Sequence, residues 1–132
     1  MIIDIEETFV VGEDAFFESV SPTSSYGVTF EDDLATGYFY AVETELDLQI
    51  LDALHVYDVE HVVDKHKPSI IQIAWTDDGN IAFLLINNYC HAMFNFKEKA
   101  GYCRNAFPAN NNGWAKTTER KLTDELMKKY AI

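Results

Sequence analysis

The chain has 132 residues, and its 22 acids against 10 bases give a formal net charge of −12 and a pI near 4.5. Such a protein lacks the clustered lysines and arginines that bind phosphate, which argues against nucleic acid and anionic membrane surfaces as ligands. A hydrophobic content of 48% indicates a packed globule rather than a disordered acidic chain. Its length suits a single domain over residues 1–132.

The charges are unevenly distributed along the sequence. Residues 1–64 contain sixteen acids and neither lysine nor arginine, whereas residues 65–132 contain all ten bases and six acids. The formal charges of the two parts are therefore −16 and +4, which add to the −12 of the whole chain. The electrostatic field of such a charge distribution affects which partners bind and how fast they associate, rather than the fold.

Short strands are expected in the first part of the chain: Phe9–Val11, Ala15–Val20, Ser25–Phe30 and Gly37–Val42. The last two lie on either side of a polar loop, residues 31–36, and are expected to form a hairpin. Residues 48–57 fit either a helix or a strand, and their valine, tyrosine and histidine favour the strand.

Residues 69–97 are expected to form a three-stranded antiparallel meander. The strand Ile81–Ile86 is apolar on both faces, as a central strand is. Asp78-Gly79 and Asn87-Asn88 have the composition of tight turns. The third strand, Tyr89–Phe96, is predicted to place one set of residues on a single face: Cys90, Ala92, Phe94 and Phe96. A following turn at Lys99-Ala100 would then put Cys103 opposite Phe96.

An exposed loop is expected over Phe107–Gly113, and one helix is predicted near the end of the sequence, over Thr118–Tyr130. Its apolar residues Leu122, Leu126 and Tyr130 recur every four positions. The fold class is thus α+β: a strand-dominated antiparallel sheet built as a meander of hairpins, with one C-terminal helix. This basic helix would either pack on the sheet or cover the acidic half.

The sequence also carries expectations about the cell compartment. The longest apolar run, Ile81–Ile86, is far too short to span a bilayer, and the first residues lack the basic segment of a secretory signal. Cys90 and Cys103 form no CxxC pair and are expected to be reduced thiols without a disulfide. A cytoplasmic location is therefore predicted.

The densest carboxylate cluster is Glu31-Asp32-Asp33. A calcium loop would need oxygen ligands at alternating positions, and Leu34 and Ala35 interrupt that pattern. Two interpretations remain, a solvated hairpin loop and a contact surface for a cationic partner. Tyr38 and Tyr40 would extend such a surface if they lie on an exposed sheet face.

A different kind of site would use His55, His91, Cys103 and Arg104. Arg104 would lower the pKa of the neighbouring Cys103 thiol, and His91 would act as a base. Zinc would require the fold to bring Cys90, His91 and Cys103 together. Packed cysteines and structural histidines are the simpler interpretation, no phosphate loop or nucleophile elbow is present, and no catalytic residue, metal or cofactor is predicted.

Several blocks occur in an order typical of a known family: Phe30–Asp33, Thr36–Ala41, Asp52–Tyr57, Gln72–Trp75, Asp78–Gly79, Ile86–Ala92, Gly101–Arg104 and Phe107–Pro108. On these blocks, over about residues 25–114, the chain resembles a small bacterial family known only as a domain of unknown function. The resemblance implies no activity, cofactor or catalytic residue.

The leading interpretation is a non-catalytic protein-binding module of the bacterial cytoplasm. Its acidic half would dock a basic protein, as a toxin-neutralising immunity protein does, through residues on the first hairpin: Glu31, Asp32, Asp33, Tyr38 and Tyr40. The alternative is a small enzyme or ligand-binding domain with its site near His55, His91, Cys103 and Arg104. The sequence leaves the oligomeric state open.

Overall fold

The computed structural model describes residues 1–45, 49–109 and 113–130. Within these residues the chain forms nine strands: β1 (Ile2–Phe9), β2 (Ala15–Val20), β3 (Tyr26–Asp32), β4 (Thr36–Glu43), β5 (Gln49–Asp58), β6 (Ser69–Trp75), β7 (Ile81–Ile86), β8 (Tyr89–Asn95) and β9 (Ala100–Cys103). A short 3₁₀ turn, Val59–His61, follows β5, and a helix, α1 (Asp124–Lys129), follows β9. None of the helices in the described residues is long and apolar enough to cross a membrane.

The strands form two antiparallel sheets. The larger sheet has the order β1-β6-β7-β8-β9, and the smaller sheet has the order β2-β3-β4-β5. The strand-dominated antiparallel architecture with one C-terminal helix is therefore confirmed, although the strands divide between two sheets. Aromatic rings join the sheets across the core, with Phe39 stacked on Phe94 at a centroid distance of 5.3 Å and Phe9 edge-on to Phe30 at 5.6 Å. The main hydrophobic core lies between the sheets.

The predicted meander is confirmed, with β7 at the centre of the larger sheet. Asn87 and Asn88 both have left-handed φ angles, 52° and 66°, as a type I′ hairpin turn requires. Gly79 has a φ angle of 74° in the preceding turn. The first hairpin is confirmed as β3 and β4, and residues 49–57 lie in strand β5, as the composition favoured; residue 48 lies outside the described residues.

Strand β1 differs from the expected short strand at Phe9–Val11. It runs from Ile2 to Phe9 and pairs with β6 along an edge of the larger sheet. Most of its residues are exposed and three are acids, so its sequence lacks the alternation of apolar and polar residues that predicts a strand. Because β2 belongs to the smaller sheet, the turn after β1 passes from one sheet to the other.

A bulge in β8 changes which face Cys90 occupies. Leu84 pairs with Ala92 and Leu85 pairs with Cys90, so His91 is an extra residue on β8. Cys90 consequently packs in a second apolar cluster with Met93, whereas Ala92 lies in the main core. The prediction that Cys90 shares a face with Ala92 is wrong, because a bulge interrupts the alternation of side chains.

The next hairpin also has a different register from the expected one. Asn95 pairs with Ala100 and Ala92 pairs with Cys103, so the turn spans residues 96–99 and Cys103 does not lie opposite Phe96. Both cysteines are buried free thiols.

The C-terminal helix is much shorter than predicted. Thr123 caps α1 by accepting a hydrogen bond from the Leu126 amide at 3.1 Å, and residues before it are extended. The Leu122 amide donates to the Cys103 carbonyl and the Cys103 amide donates to the Arg120 carbonyl, each at 2.9 Å. Pairing with the edge of β9 replaces the helical hydrogen bonds that the apolar spacing indicated.

Helix α1 packs on the larger sheet. Its Met127 lies in the second apolar cluster, which also contains Phe83, Cys90 and Met93 from β7 and β8. Of the two alternatives for the basic helix, packing on the sheet is therefore the one that the structure has.

Candidate functional site

The topology converts the uneven charge of the sequence into an uneven surface. All four strands of the smaller sheet come from residues 15–58, within the stretch that has no lysine or arginine. In the larger sheet, only β1 comes from that stretch. None of the nine strands contains lysine or arginine, so the two sheets differ in their acids and in their loops. Residues 15–58, which form the smaller sheet and its loops, contain nine acids and no lysine or arginine, whereas β6–β9 contain no acid and the turn between β8 and β9 carries Lys97 and Lys99.

The pairing register of the smaller sheet places its side chains in rows that cross all four strands. One row contains Phe17, Phe30, Phe39 and Leu54 and points into the core. Because side chains alternate between faces, the rows on either side point outward. These two rows are Phe16, Glu31, Tyr38 and His55, and Glu18, Thr29, Tyr40 and Ala53. We call them together the outer sheet face.

The outer sheet face combines aromatic rings with carboxylates. Tyr38 and Tyr40 stack at a centroid distance of 5.9 Å, and His55 contacts Tyr38 edge-on at 5.4 Å. Phe16 is 56% exposed at one edge of the face, although most phenylalanines of the chain are buried. The face thus offers apolar contact area together with the acids Glu18 and Glu31.

The tyrosines of this face are surrounded by negative charge. Partial burial raises the pKa of Tyr38, and the charges of Asp58 and Asp33 raise it further. Partial burial likewise raises the pKa of Tyr40, followed by the charges of Glu31 and Asp33. Both phenols therefore remain protonated hydrogen-bond donors at neutral pH.

The three acids of the first hairpin have three different environments. Glu31 is half-buried on the outer sheet face. Asp33 is exposed in the turn and accepts hydrogen bonds from the amides of Thr36 and Ala35 at 2.8 and 3.0 Å, which lower its pKa. Asp32 is fully buried. The prediction that the three lie together as an exposed contact is wrong for Asp32, because it is a core-facing residue of β3.

Asp32 instead holds three parts of the chain together. Its carboxylate accepts hydrogen bonds from the Gly12 amide at 2.8 Å, the Leu34 amide at 2.8 Å and the Tyr57 hydroxyl at 2.6 Å. A Cβ atom on Gly37 would lie 2.6 Å from Cζ of Tyr57, so glycine is needed for this ring to lie across β4. The cluster has a structural role beneath the candidate surface.

The alternative set of site residues does not form one cleft. His55 is linked to Cys103 through Asn105, whereas Arg104 and His91 both contact Tyr89. His91 lines a cavity of about 370 Å³ whose walls include none of His55, Cys103 and Arg104.

The contacts of His55 define its tautomer. The Asn105 amide nitrogen lies 2.6 Å from Nδ1, and Asp58 Oδ1 lies 3.0 Å from Nε2. Because an amide nitrogen can only donate, Nδ1 is the acceptor and Nε2 carries the hydrogen that Asp58 accepts. Asn105 also accepts a hydrogen bond from the Cys103 thiol at 3.3 Å. This chain of hydrogen bonds ties the segment after β9 to the smaller sheet.

Cys103 lacks the properties of a nucleophile in this arrangement. It is fully buried, and burial raises the pKa of its thiol. The Arg104 guanidinium is directed elsewhere, because its Nη1 donates to Asp124 and its Nε to the Cys90 carbonyl, each at 2.9 Å. The expectation that Arg104 lowers the pKa of Cys103 is therefore wrong. No group of three potential ligands among the described residues is placed to hold a metal ion.

Three features of this arrangement were not predicted from the sequence: the exposure of Phe16, the link through Asn105, and the burial of the acids Asp32 and Asp52. Phe16 could have been found from the alternation in β2, since Phe17 fits the core and its neighbour must point outward. Asp52 also gave a signal, as a carboxylate inside an otherwise apolar strand pattern. Asn105 gave none, because only tertiary contacts place it beside His55.

The fold and its outer face define a two-sheet β protein in which one sheet presents tyrosines among carboxylates. The chain belongs to the DUF2251 family, described as an uncharacterized protein conserved in bacteria, whose profile matches residues 9–131. The resemblance seen over residues 25–114 is thereby confirmed and extends to both sides.

A relative from Haemophilus influenzae bears the name uncharacterized protein. It is 44% identical over 84 residues, which are 63% of this chain and 52% of the relative. The chain thus spans about half the length of the curated relative that it matches. No solved structure matches the chain.

Proposed function

We propose that the protein is a non-catalytic binding module that docks a basic partner protein on the outer sheet face, in the manner of an immunity or inhibitor protein. The observation that carries the proposal is the composition of the smaller sheet with its loops, residues 15–58, which contain nine acids and neither lysine nor arginine. A cationic partner therefore meets carboxylates on this face without an opposing lysine or arginine from any of its four strands.

The side chains of the face suit protein recognition. Tyrosines bury large areas at small entropic cost and are enriched where binding energy concentrates. Glu18 and Glu31 would steer a basic partner and raise its association rate more than its affinity. The exposed Phe16 adds an apolar anchor at the edge. We also infer a cytoplasmic location, which the two buried free thiols suit.

The first step of the test exposes the immobilised protein to a lysate of the source bacterium at low salt. The informative variant is Glu18→Lys/Glu31→Lys/Asp33→Lys, which reverses three charges on or beside the outer sheet face. The matched control is Asp77→Lys/Glu98→Lys/Glu125→Lys, which makes the same change of net charge elsewhere on the chain. We expect a basic protein that the wild type and the control retain and the face variant loses.

The second step measures association with that purified protein. The on-rate should fall with rising salt and should be reduced about tenfold or more by the face variant, because exposed charges act mainly on encounter. Tyr38→Ala/Tyr40→Ala should instead increase the dissociation rate. If the face variant and the charge-matched control bind alike, the docking proposal is wrong for this surface.

A further inference from the structure

A cavity of about 370 Å³ lies between the segment after the 3₁₀ turn and the β7–β8 hairpin. It is distinct from the outer sheet face, and its volume lies in the range of small-molecule sites, about 300–1,000 Å³. Its apolar part is formed by Val11, Val62 and Ile86 together with the Tyr57 ring. A ligand that fills it would therefore need an apolar body.

The mouth of the cavity carries positive charge. Lys65 and Lys67 line it together with one acid, Asp64. Asp64 Oδ2 lies 4.0 Å from the Lys67 ammonium, and among the described residues no carboxylate lies within 4.0 Å of the Lys65 ammonium. The lining thus has a net charge of +1 in a protein of charge −12.

Three other concavities of about 410–440 Å³ provide a comparison. Each has a net negative lining, through the pairs Asp58 and Glu60, Glu13 and Asp14, and Asp77 and Asp78. Lys65 also lines the concavity that contains Asp58 and Glu60, whereas Lys67 lines none of the three. The net positive lining of the 370 Å³ cavity therefore differs from that of the other three.

His91 supplies a polar group at the wall of the same cavity. It is half-buried at the bulge of β8, and its ring makes no hydrogen bond to any residue within the described ranges. Asn87, by contrast, is already occupied, since it accepts from the Ile70 amide and donates to the Ser69 hydroxyl. Burial and the charge of Arg104 lower the pKa of His91, so at neutral pH its ring carries one N–H donor and one acceptor nitrogen.

We infer that this cavity binds a small amphipathic carboxylate, with the apolar body against Ile86 and Tyr57 and the carboxylate toward Lys65 and Lys67. The Lys65 ammonium and the N–H of the His91 ring are donors beside an apolar wall, and a carboxylate is an acceptor with four lone-pair positions. This inference does not depend on the docking proposal.

The test uses hexanoate, titrated into isotopically labelled protein and followed by NMR. Hexanoate should shift the ring signals of His91 and the methyl signals of Ile86, while the exposed His61 serves as an internal reference. The neutral analogue 1-hexanol should bind at least about fivefold more weakly, because it cannot pair with an ammonium group. Inorganic phosphate, which has no apolar body, should leave Ile86 unchanged.

Variants separate the cavity from general charge effects. Lys65→Gln/Lys67→Gln should weaken hexanoate binding about fivefold, as expected for exposed lysines. Lys97→Gln/Lys128→Gln makes the same charge change away from the cavity and should not alter it. The inference is overturned if hexanoate leaves His91 and Ile86 unshifted, if 1-hexanol or phosphate binds at the cavity as tightly, or if both lysine pairs have equal effects.

Discussion

Arg120 donates from Nη2 to both carboxylate oxygens of Asp52, at 2.9 and 3.0 Å, and both side chains are 1% exposed. The pair joins β5 to the extended segment before α1, 68 residues later in the chain. Arg120 Nε and Nη1 are buried and have no hydrogen-bond partner within the described residues. The pair therefore fixes the position of the C-terminal segment while leaving part of the guanidinium unsatisfied.

We expect Arg120→Met to lower the free energy of unfolding by about 3–5 kcal/mol, because it removes the arginine that pairs with a buried carboxylate. Adding Asp52→Asn should recover part of that loss. Urea unfolding measures both variants. Arg104→Met is the control, and its loss should be smaller because Asp124, the acid it pairs with, is exposed. Equal losses at the two arginines would contradict the importance of burial.

Tyr57→Phe should lower the free energy of unfolding by about 1.5–3 kcal/mol, since it removes a hydrogen bond to the buried Asp32 carboxylate. Glu31 precedes Asp32 and lies on the outer sheet face, so Glu31→Gln should change the free energy of unfolding by less than about 0.5 kcal/mol. Chemical denaturation compares the two. A larger effect of Glu31→Gln would mean that the burial of Asp32 has no energetic consequence.

Tyr57 should also make the protein sensitive to alkali. Burial, followed by the hydrogen bond to Asp32 and its charge, raises the pKa of Tyr57 well above its usual 10. The unfolded chain then releases this proton at lower pH than the folded one, so the stabilisation is complete below pH 10 and is lost as pH rises beyond it. As pH rises above 10, the free energy of unfolding should fall less steeply for Tyr57→Phe than for the wild type. Parallel curves for the two proteins would contradict this assignment.

His91 should make the free energy of unfolding depend on pH in the acid range. Burial and the charge of Arg104 lower its pKa from 6.5 to about 4. The unfolded chain therefore binds a proton at higher pH than the folded one, and stability declines as pH falls from about 6.5 toward 4. NMR titration of the His91 ring checks the value, and His91→Phe should remove this part of the decline. Titration of His91 near 6.5 in the folded protein would contradict its burial.

Neither cysteine should react with a disulfide reagent such as DTNB in the folded protein at about pH 8. Burial raises the pKa of Cys90 to about 11 and also raises that of Cys103, so few thiolates form, and both side chains are buried. Both thiols should react once urea unfolds the chain. Rapid labelling under native conditions, or a disulfide between the two, would contradict the packing described for β8 and β9.

The sequence by itself determined features that depend on neighbouring residues. The two asparagines at 87 and 88 adopt the left-handed turn, and the apolar run 81–86 becomes the central strand because both of its faces are covered. The asymmetry of charge was also visible, since it is a property of the order of residues. Alternation and turn chemistry act over a few residues, which is why these predictions were confirmed.

The tertiary structure decided which segments pair and which face each side chain occupies. The four-residue spacing over 118–130 indicated a helix, but residues 120–122 bond to the edge of β9 and Arg120 reaches Asp52 across 68 positions. A bulge at His91 places Cys90 on the other face. Strand β3 extends through Asp32, whose carboxylate faces the core and accepts a hydrogen bond from Tyr57 on β5. Most of the acidic stretch forms one sheet because β2, β3, β4 and β5 pair with one another, while β1, from the same stretch, pairs with β6. Contacts between residues far apart in the chain compete with local preferences, and their free energy is not encoded in a short sequence window.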